Sequence, residues 1–196
     1  MNKVTYGLKN VYVAFRDNES SDTEPVWLTP VAIPGAVNLK PKPEGSQAKF
    51  FADDALYFAA NANDGYTADL EVALLSDEIL AEMLGWSVDD NGALVEITDG
   101  ISKRFALMGQ VTGDVKNRKF VYFDCEASRP SREEKTKSDK LEPNTDTISL
   151  TIFPIEVDGM NLVKLVMEAT DANSGIGGAY TDFFAGVYVP VITPEA

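Results

Sequence analysis

The chain has 196 residues, 44% of them hydrophobic and 24% charged, with a mean hydropathy of −0.13. This excludes a disordered polyelectrolyte and a bundle of membrane helices, and fits one domain with sizeable loops. Seventeen Lys and Arg against 31 Asp and Glu give a net charge of −14, the wrong sign for gripping a polyanion through its phosphates. Histidine is absent and Cys125 is the only cysteine, so the commonest general base and zinc ligand, any intrachain disulfide and every Ser-His or Cys-His nucleophile pair are missing. An enzyme is not expected.

In chain order, residues 1–10 carry Lys3 and Lys9 but no apolar run followed by small-residue cleavage chemistry, so no signal peptide is expected. Residues 11–15 alternate as a strand. Phe50, Phe51, Tyr57 and Phe58 could stack on sugar or base rings, yet aromatic residues in strands usually fill a core, and that is the expectation. Residues 69–74 set Leu70, Val72 and Leu74 on one face and Asp69 and Glu71 on the other, as a half-buried strand does. Residues 76–84 break the period: Ile79, Leu80, Met83 and Leu84 form a helical stripe, Ser76 suits the N-cap, and Gly85 suits a left-handed stop. The sequence Asp89-Asp-Asn-Gly92 between Val88 and Leu94-Val95 reads as a hairpin turn. Residues 104–111 and 162–167 are less regular strands. Residues 119–127 would put Val121, Phe123 and Cys125 on one face, and 147–152 would do the same for Ile148, Leu150 and Ile152.

The polar motifs favour turns over chemistry. Asp53-Asp54 and Asp89-Asp90 offer paired carboxylates, but adjacent strand residues point apart and turn residues are often acidic. Neither 61–65 nor 171–175 completes a calcium loop, and Gly175-Ile-Gly-Gly178 lacks the lysine and spacing of a phosphate or dinucleotide cradle, so it reads as a connector. Residues 128–146 have no apolar pattern and carry five bases and five acids, which makes a long polar arm. From 50 to 102 there is no Lys or Arg, while twelve carboxylates crowd the same stretch. These features together predict a mainly β (α+β) fold: a β-sandwich or split β-barrel with one flanking short α-helix and a long polar loop. One domain covers 1–196, with an extension from about residue 171.

The order of motifs carries more than any single one. Gly7-Leu-Lys-Asn-Val-Tyr-Val-Ala14, Trp27, Ile33-Pro-Gly-Ala36, Phe50-Phe-Ala-Asp-Asp54, Tyr57, Asn63-Asp-Gly-Tyr-Thr67 and Leu70-Glu-Val72 come first. Leu84-Gly85, Asn91-Gly92, Phe105-Ala-Leu107, Tyr122, Ser128-Arg-Pro130, Thr136 and the strand 146–154 continue the set. As an ordered series over roughly residues 7–155 it resembles the major tail proteins of long-tailed, non-contractile bacteriophages; 183–189 match only loosely. The resemblance implies a tail tube subunit with a β-sandwich or split-barrel core. It further implies that six copies close into a ring, that rings stack into a tube, and that DNA passes down the bore in transit without tight binding. Implied partners are the chain itself and the tape-measure, tail-tip and terminator proteins of the tail, with no cofactor and no membrane. The implied location is the virion tail, after synthesis in a host bacterial cytoplasm. The competing reading is a β-sandwich carbohydrate-binding or adhesin-like module on a virion.

Three expectations follow for the surface. Arg129, Arg132, Glu133, Glu134, Lys135, Lys137 and Lys140 of the arm are interface candidates, because a charge-balanced segment can find complementary partners on a neighbour. Strand edges are expected to pair between subunits. Asp69 and Glu71 are lumen candidates, since an acidic wall repels phosphate at short range and keeps DNA moving.

Overall fold

A computed structural model describes residues 4–21, 24–131, 144–157 and 159–191. The order of elements is β1 (Leu8–Phe15), β2 (Val31–Ile33), β3 (Ala36–Glu44), β4 (Gln47–Ala52), β5 (Ala55–Asn61), β6 (Gly65–Val72) and α1 (Asp77–Leu84). Then come β7 (Ser87–Val88), β8 (Leu94–Val95), β9 (Phe105–Val111), β10 (Lys119–Ala127), β11 (Asp146–Ile152), β12 (Ile155–Val157), β13 (Met160–Leu162) and β14 (Lys164–Met167). The fold is mainly β with one helix, as the sequence predicts.

Eight strands make one antiparallel sheet in the order β2-β1-β9-β10-β11-β6-β3, with β14 also on β10. It does not close into a barrel. The division occurs along β10. Lys119–Tyr122 pair with β14, Cys125–Ala127 pair with β11, and β9 lies along the other edge. At the handover β10 advances from Tyr122 to Cys125 while β9 advances only from Leu107 to Phe105, so β10 carries one extra residue. Such a bulge moves every later side chain to the opposite face. Val121 and Phe123 therefore enter one cluster, while Tyr122 and Cys125 enter the other. The expectation that Cys125 shares a face with Val121 and Phe123 is corrected by that single residue.

Two apolar clusters result. One lies on one face of the sheet, where Val13, Leu70, Leu107, Tyr122 and Ile148 meet Ile79, Leu80 and Met83 of α1. The other lies on the opposite face, where Ala14, Ala106, Met108, Val121 and Phe123 join Ile155, Val157 and Phe183. Strands β9 and β10 are thus buried on both faces, which is why alternation is blurred in 104–111. The segment 168–191, without strand or helix, supplies a lid over the second cluster. Phe183 is 1% exposed, and the rings of Phe184 and Tyr12 stack at 4.9 Å. Lys119, itself buried, donates to the Tyr180 carbonyl at 2.5 Å and lies 4.0 Å from that ring's centroid. Its ammonium so joins lid to sheet; burial pushes its pKa below the ordinary lysine value.

The bulge also buries Asp124, held by Arg104 at 2.5 Å and Arg16 at 3.7 Å. Burial pushes the Cys125 thiol far up, with the Asp124 charge adding to the shift, which leaves the sulfur unreactive. Helix α1 forms where the stripe predicts, with the Ser76 hydroxyl accepting from the Ile79 amide and Gly85 at φ 69 ending it. Two strand readings change. Strand β6 stops at Val72, so Leu74 is 70% exposed and Leu75 takes the buried place. The single strand expected over 162–167 is two, β13 paired with β12 and β14 paired with β10.

Candidate assembly surfaces

Among the described residues strands β4 and β5 pair only with each other, Phe50 opposite Phe58 and Phe51 opposite Leu56, around a turn at Asp53 and Asp54. Both turn residues have positive φ, 52 and 62, the conformation that a tight two-residue hairpin needs and that short acidic side chains tolerate. The ribbon continues the β3–β6 pair: the Ala62 amide donates to the Ser46 carbonyl at 2.8 Å and the Asp64 amide to the Glu44 carbonyl at 3.1 Å. At the junction a Cβ on Gly45 would stand 2.3 Å from the Ala62 carbonyl oxygen, so only glycine lets the chains approach there. Phe50, Phe51, Leu56, Tyr57 and Phe58 are each between 52% and 77% exposed. The expected core role for these rings is corrected: a two-stranded ribbon has no opposing layer to cover either face.

Asp69 and Glu71 stand on the solvent-facing row of β6, as their alternation predicts, but in company. Lys40 of β3 and Ser149 of β11 are the cross-strand partners of Asp69; Asn38 and Thr147 are those of Glu71. Ser149 Oγ donates to Asp69 Oδ1 at 2.8 Å, and Thr145 Oγ1 donates to Glu71 Oε1 at 2.9 Å. Beside them Lys42 approaches Glu44 at 3.3 Å, and Thr67 Oγ1 donates to the same carboxylate. That hydroxyl first, then Lys42, holds the Glu44 carboxyl below its ordinary value. The face is a lattice of hydroxyls with mixed charge. Sequence reading missed Lys40 and Lys42 because strand register, not spacing, brings them there.

Of the arm, Arg129 lies 3.0 Å from Glu96 in an exposed ion pair within the chain. Arg132, Glu133, Glu134, Lys135, Lys137 and Lys140 lie outside the described residues.

Strand β3 is one end of the main sheet, and its sequence Lys40-Pro-Lys-Pro-Glu44 limits what that edge can do. Pro41 and Pro43 have no N–H to give, so the edge offers a new strand few donors. Next to this edge is a groove of about 370 Å³ between β3 and the ends of β1, β9 and β10. Its lining includes Tyr6, Leu8, Leu39, Phe120, Tyr122 and Lys164. The Lys164 ammonium lies 5.1 Å from the Tyr122 ring centroid. Burial, then the nearby Arg118 charge, lowers the Lys164 pKa, and burial pushes the Tyr122 hydroxyl up to about 12.

No protein-family model and no curated protein matches the chain. Solved structures of similar outline include a chain of the sheath–tube complex of an extracellular contractile injection system in its extended state. It has 7% identity, covers 85% of this chain and 94% of that one, and has a TM-score of 0.47. A chain of the tube-terminating cap of the anti-feeding prophage has 10% identity, the same two coverages of 85% and 94%, and a TM-score of 0.47. A type six secretion system protein has 8% identity, coverages of 80% and 91%, and a TM-score of 0.36. At such identities and TM-scores the likeness is one of outline and carries no function across to this chain.

Proposed function

We propose that this chain is a structural subunit that polymerises with itself into the tube of a phage-like tail, in stacked rings of six as its motif order implies. The observation that carries the reading is the β4–β5 ribbon. Five large apolar side chains stand out in water on a two-stranded projection, a surface that costs solubility unless another molecule covers it. Fully covering one such ring is worth about 1.5–3 kcal/mol. Strand pairing between subunits then runs along the outer edges of β4 and β5 in preference to the proline-bearing edge of β3. On this reading Asp69 and Glu71 face the bore, the arm 128–146 contacts a neighbour, and tape-measure, tail-tip and terminator proteins start and stop the polymer while DNA passes through.

Negative-stain microscopy of concentrated protein tests it. Rings or tubes are expected for the parent chain and none for Phe51→Ser with Tyr57→Ser. A parent chain that stays monomeric at every concentration and salt overturns the proposal. The exposed rings also favour one second reading, an adhesin-like module that stacks them on sugars. A stable monomer retained on immobilised glycans would select that reading.

A further inference from the structure

The ribbon needs a place to go, and the groove beside β3 has complementary chemistry. Resting on the self-assembly reading above, we infer that this groove receives the Asp53–Asp54 tip of the ribbon from a second copy of the chain. The first argument is apolar fit. The groove volume, about 370 Å³, lies at the lower end of the roughly 300–1,000 Å³ typical of ligand clefts, and the exposed Tyr6 and Val37 with the half-buried Leu39 are among its walls. Phe51, Leu56 and Tyr57, which flank the tip, are side chains of the kind such walls cover.

The second argument is charge. Among the described residues neither Asp53, Asp54 nor Lys164 has an ion-pair partner, so the tip brings two unpaired carboxylates and the groove offers one unpaired ammonium. Burial already weakens the charged form of Lys164, and a carboxylate beside it would restore that form.

The third argument is direction. The groove is lined by the Val37–Pro41 stretch of β3, whereas the ribbon leaves from the Glu44 end and its six- and seven-residue strands carry the tip about 20 Å further at about 3.3 Å per residue. The tip cannot turn back into its own groove. Each copy presents one tip and one groove on different parts of its surface. This is a heterologous contact, which repeats until a ring closes or a filament grows. Because Pro41 and Pro43 deplete the β3 edge of donors, recognition there is by side chains and not by strand addition.

Cys125 is fully buried, so introduced cysteines are the reactive thiols of the folded chain. Two differently tagged variants, Asp54→Cys and Val37→Cys, are mixed and treated with a short bis-maleimide. The mixed dimer is expected at least ten-fold above that from Asp54→Cys mixed with Glu78→Cys, a control on the exposed side of α1. Adding Lys164→Glu to the groove partner is expected to lower the yield several-fold, and adding Asp53→Lys to the tip partner to restore it. A yield no higher than the control, or one indifferent to Lys164→Glu, overturns the inference. Rings or tubes without the cross-link would sink this docking mode and leave self-assembly standing. Absence of both polymer and cross-link sinks both.

Discussion

Strands β4 and β5 are an aromatic antiparallel pair, and so are β9 and β10, yet Phe105, Tyr122 and Phe123 are at most 1% exposed while every large ring of the ribbon is more than half exposed. Residue type does not separate the two pairs; their neighbours do. On β9 and β10 the flanking strands β1, β11 and β14 take the edges, α1 packs within the cluster on one face, and the 168–191 lid covers the other face. Among the described residues the ribbon has only its own second strand. A ring-rich strand becomes core when a further layer arrives; one pair brings its layer within the chain, and the other, on the assembly proposed above, would find it in a second chain.

The contrast can be broken most forcefully at the buried pair. Phe123→Ala should cost about 3–5 kcal/mol, the usual toll of deleting a buried ring, read as a lower urea midpoint at unchanged slope. Asp124→Asn leaves Arg16 and Arg104 gathered around a neutral amide and should cost about 3 kcal/mol by the same measurement. Away from both pairs, Ser76→Ala removes the helix cap and should cost about 1 kcal/mol. The double change Phe51→Ser with Tyr57→Ser should move monomer stability by less than about 0.5 kcal/mol while abolishing polymers, which is the sharpest form of the comparison.

Acid should act on the β9–β10 connection. The Asp114 carboxyl is held below its ordinary value, chiefly by the Arg118 guanidinium and with help from the Lys116 amide. A carboxyl with a depressed folded-state pKa contributes stability above its unfolded value and loses it as the pH falls through the folded one. The melting temperature should therefore drop as the pH passes below the ordinary carboxylate range, and Asp114→Asn should flatten part of that drop.

What could be read from the sequence was local. The helix over 76–84 was legible because cap, stripe and stop all lie within ten residues, and β11 was legible because its alternation has no interruption. The face taken by Cys125 was not, since one bulge residue reverses the phase and leaves no mark on the pattern. The company of Asp69 was hidden for another reason: Lys40 is its neighbour only through the register of β3 on β6. The ribbon was misread because aromatic content reports the wish to be covered, not the identity of the cover. The proline pair at 41 and 43 was visible, but its meaning depended on β3 being an end strand.

The pairing distances also set an order in time. The ribbon closes across a two-residue turn, and hairpins form in about 1–10 μs. The body must bring Phe15 to Phe105 and Leu70 to Ile148, pairings of the non-local kind that take milliseconds to seconds. During synthesis at about 5–20 residues per second, the rings of β4 and β5 leave the ribosome several seconds before β10 is complete. We expect that nascent chains on one messenger then present sticky hairpins to each other before either has a body. The cation-free stretch 50–102, with its twelve carboxylates, is what emerges in that interval. Mutual repulsion between such half-made chains would keep the ribbons apart until folding is complete.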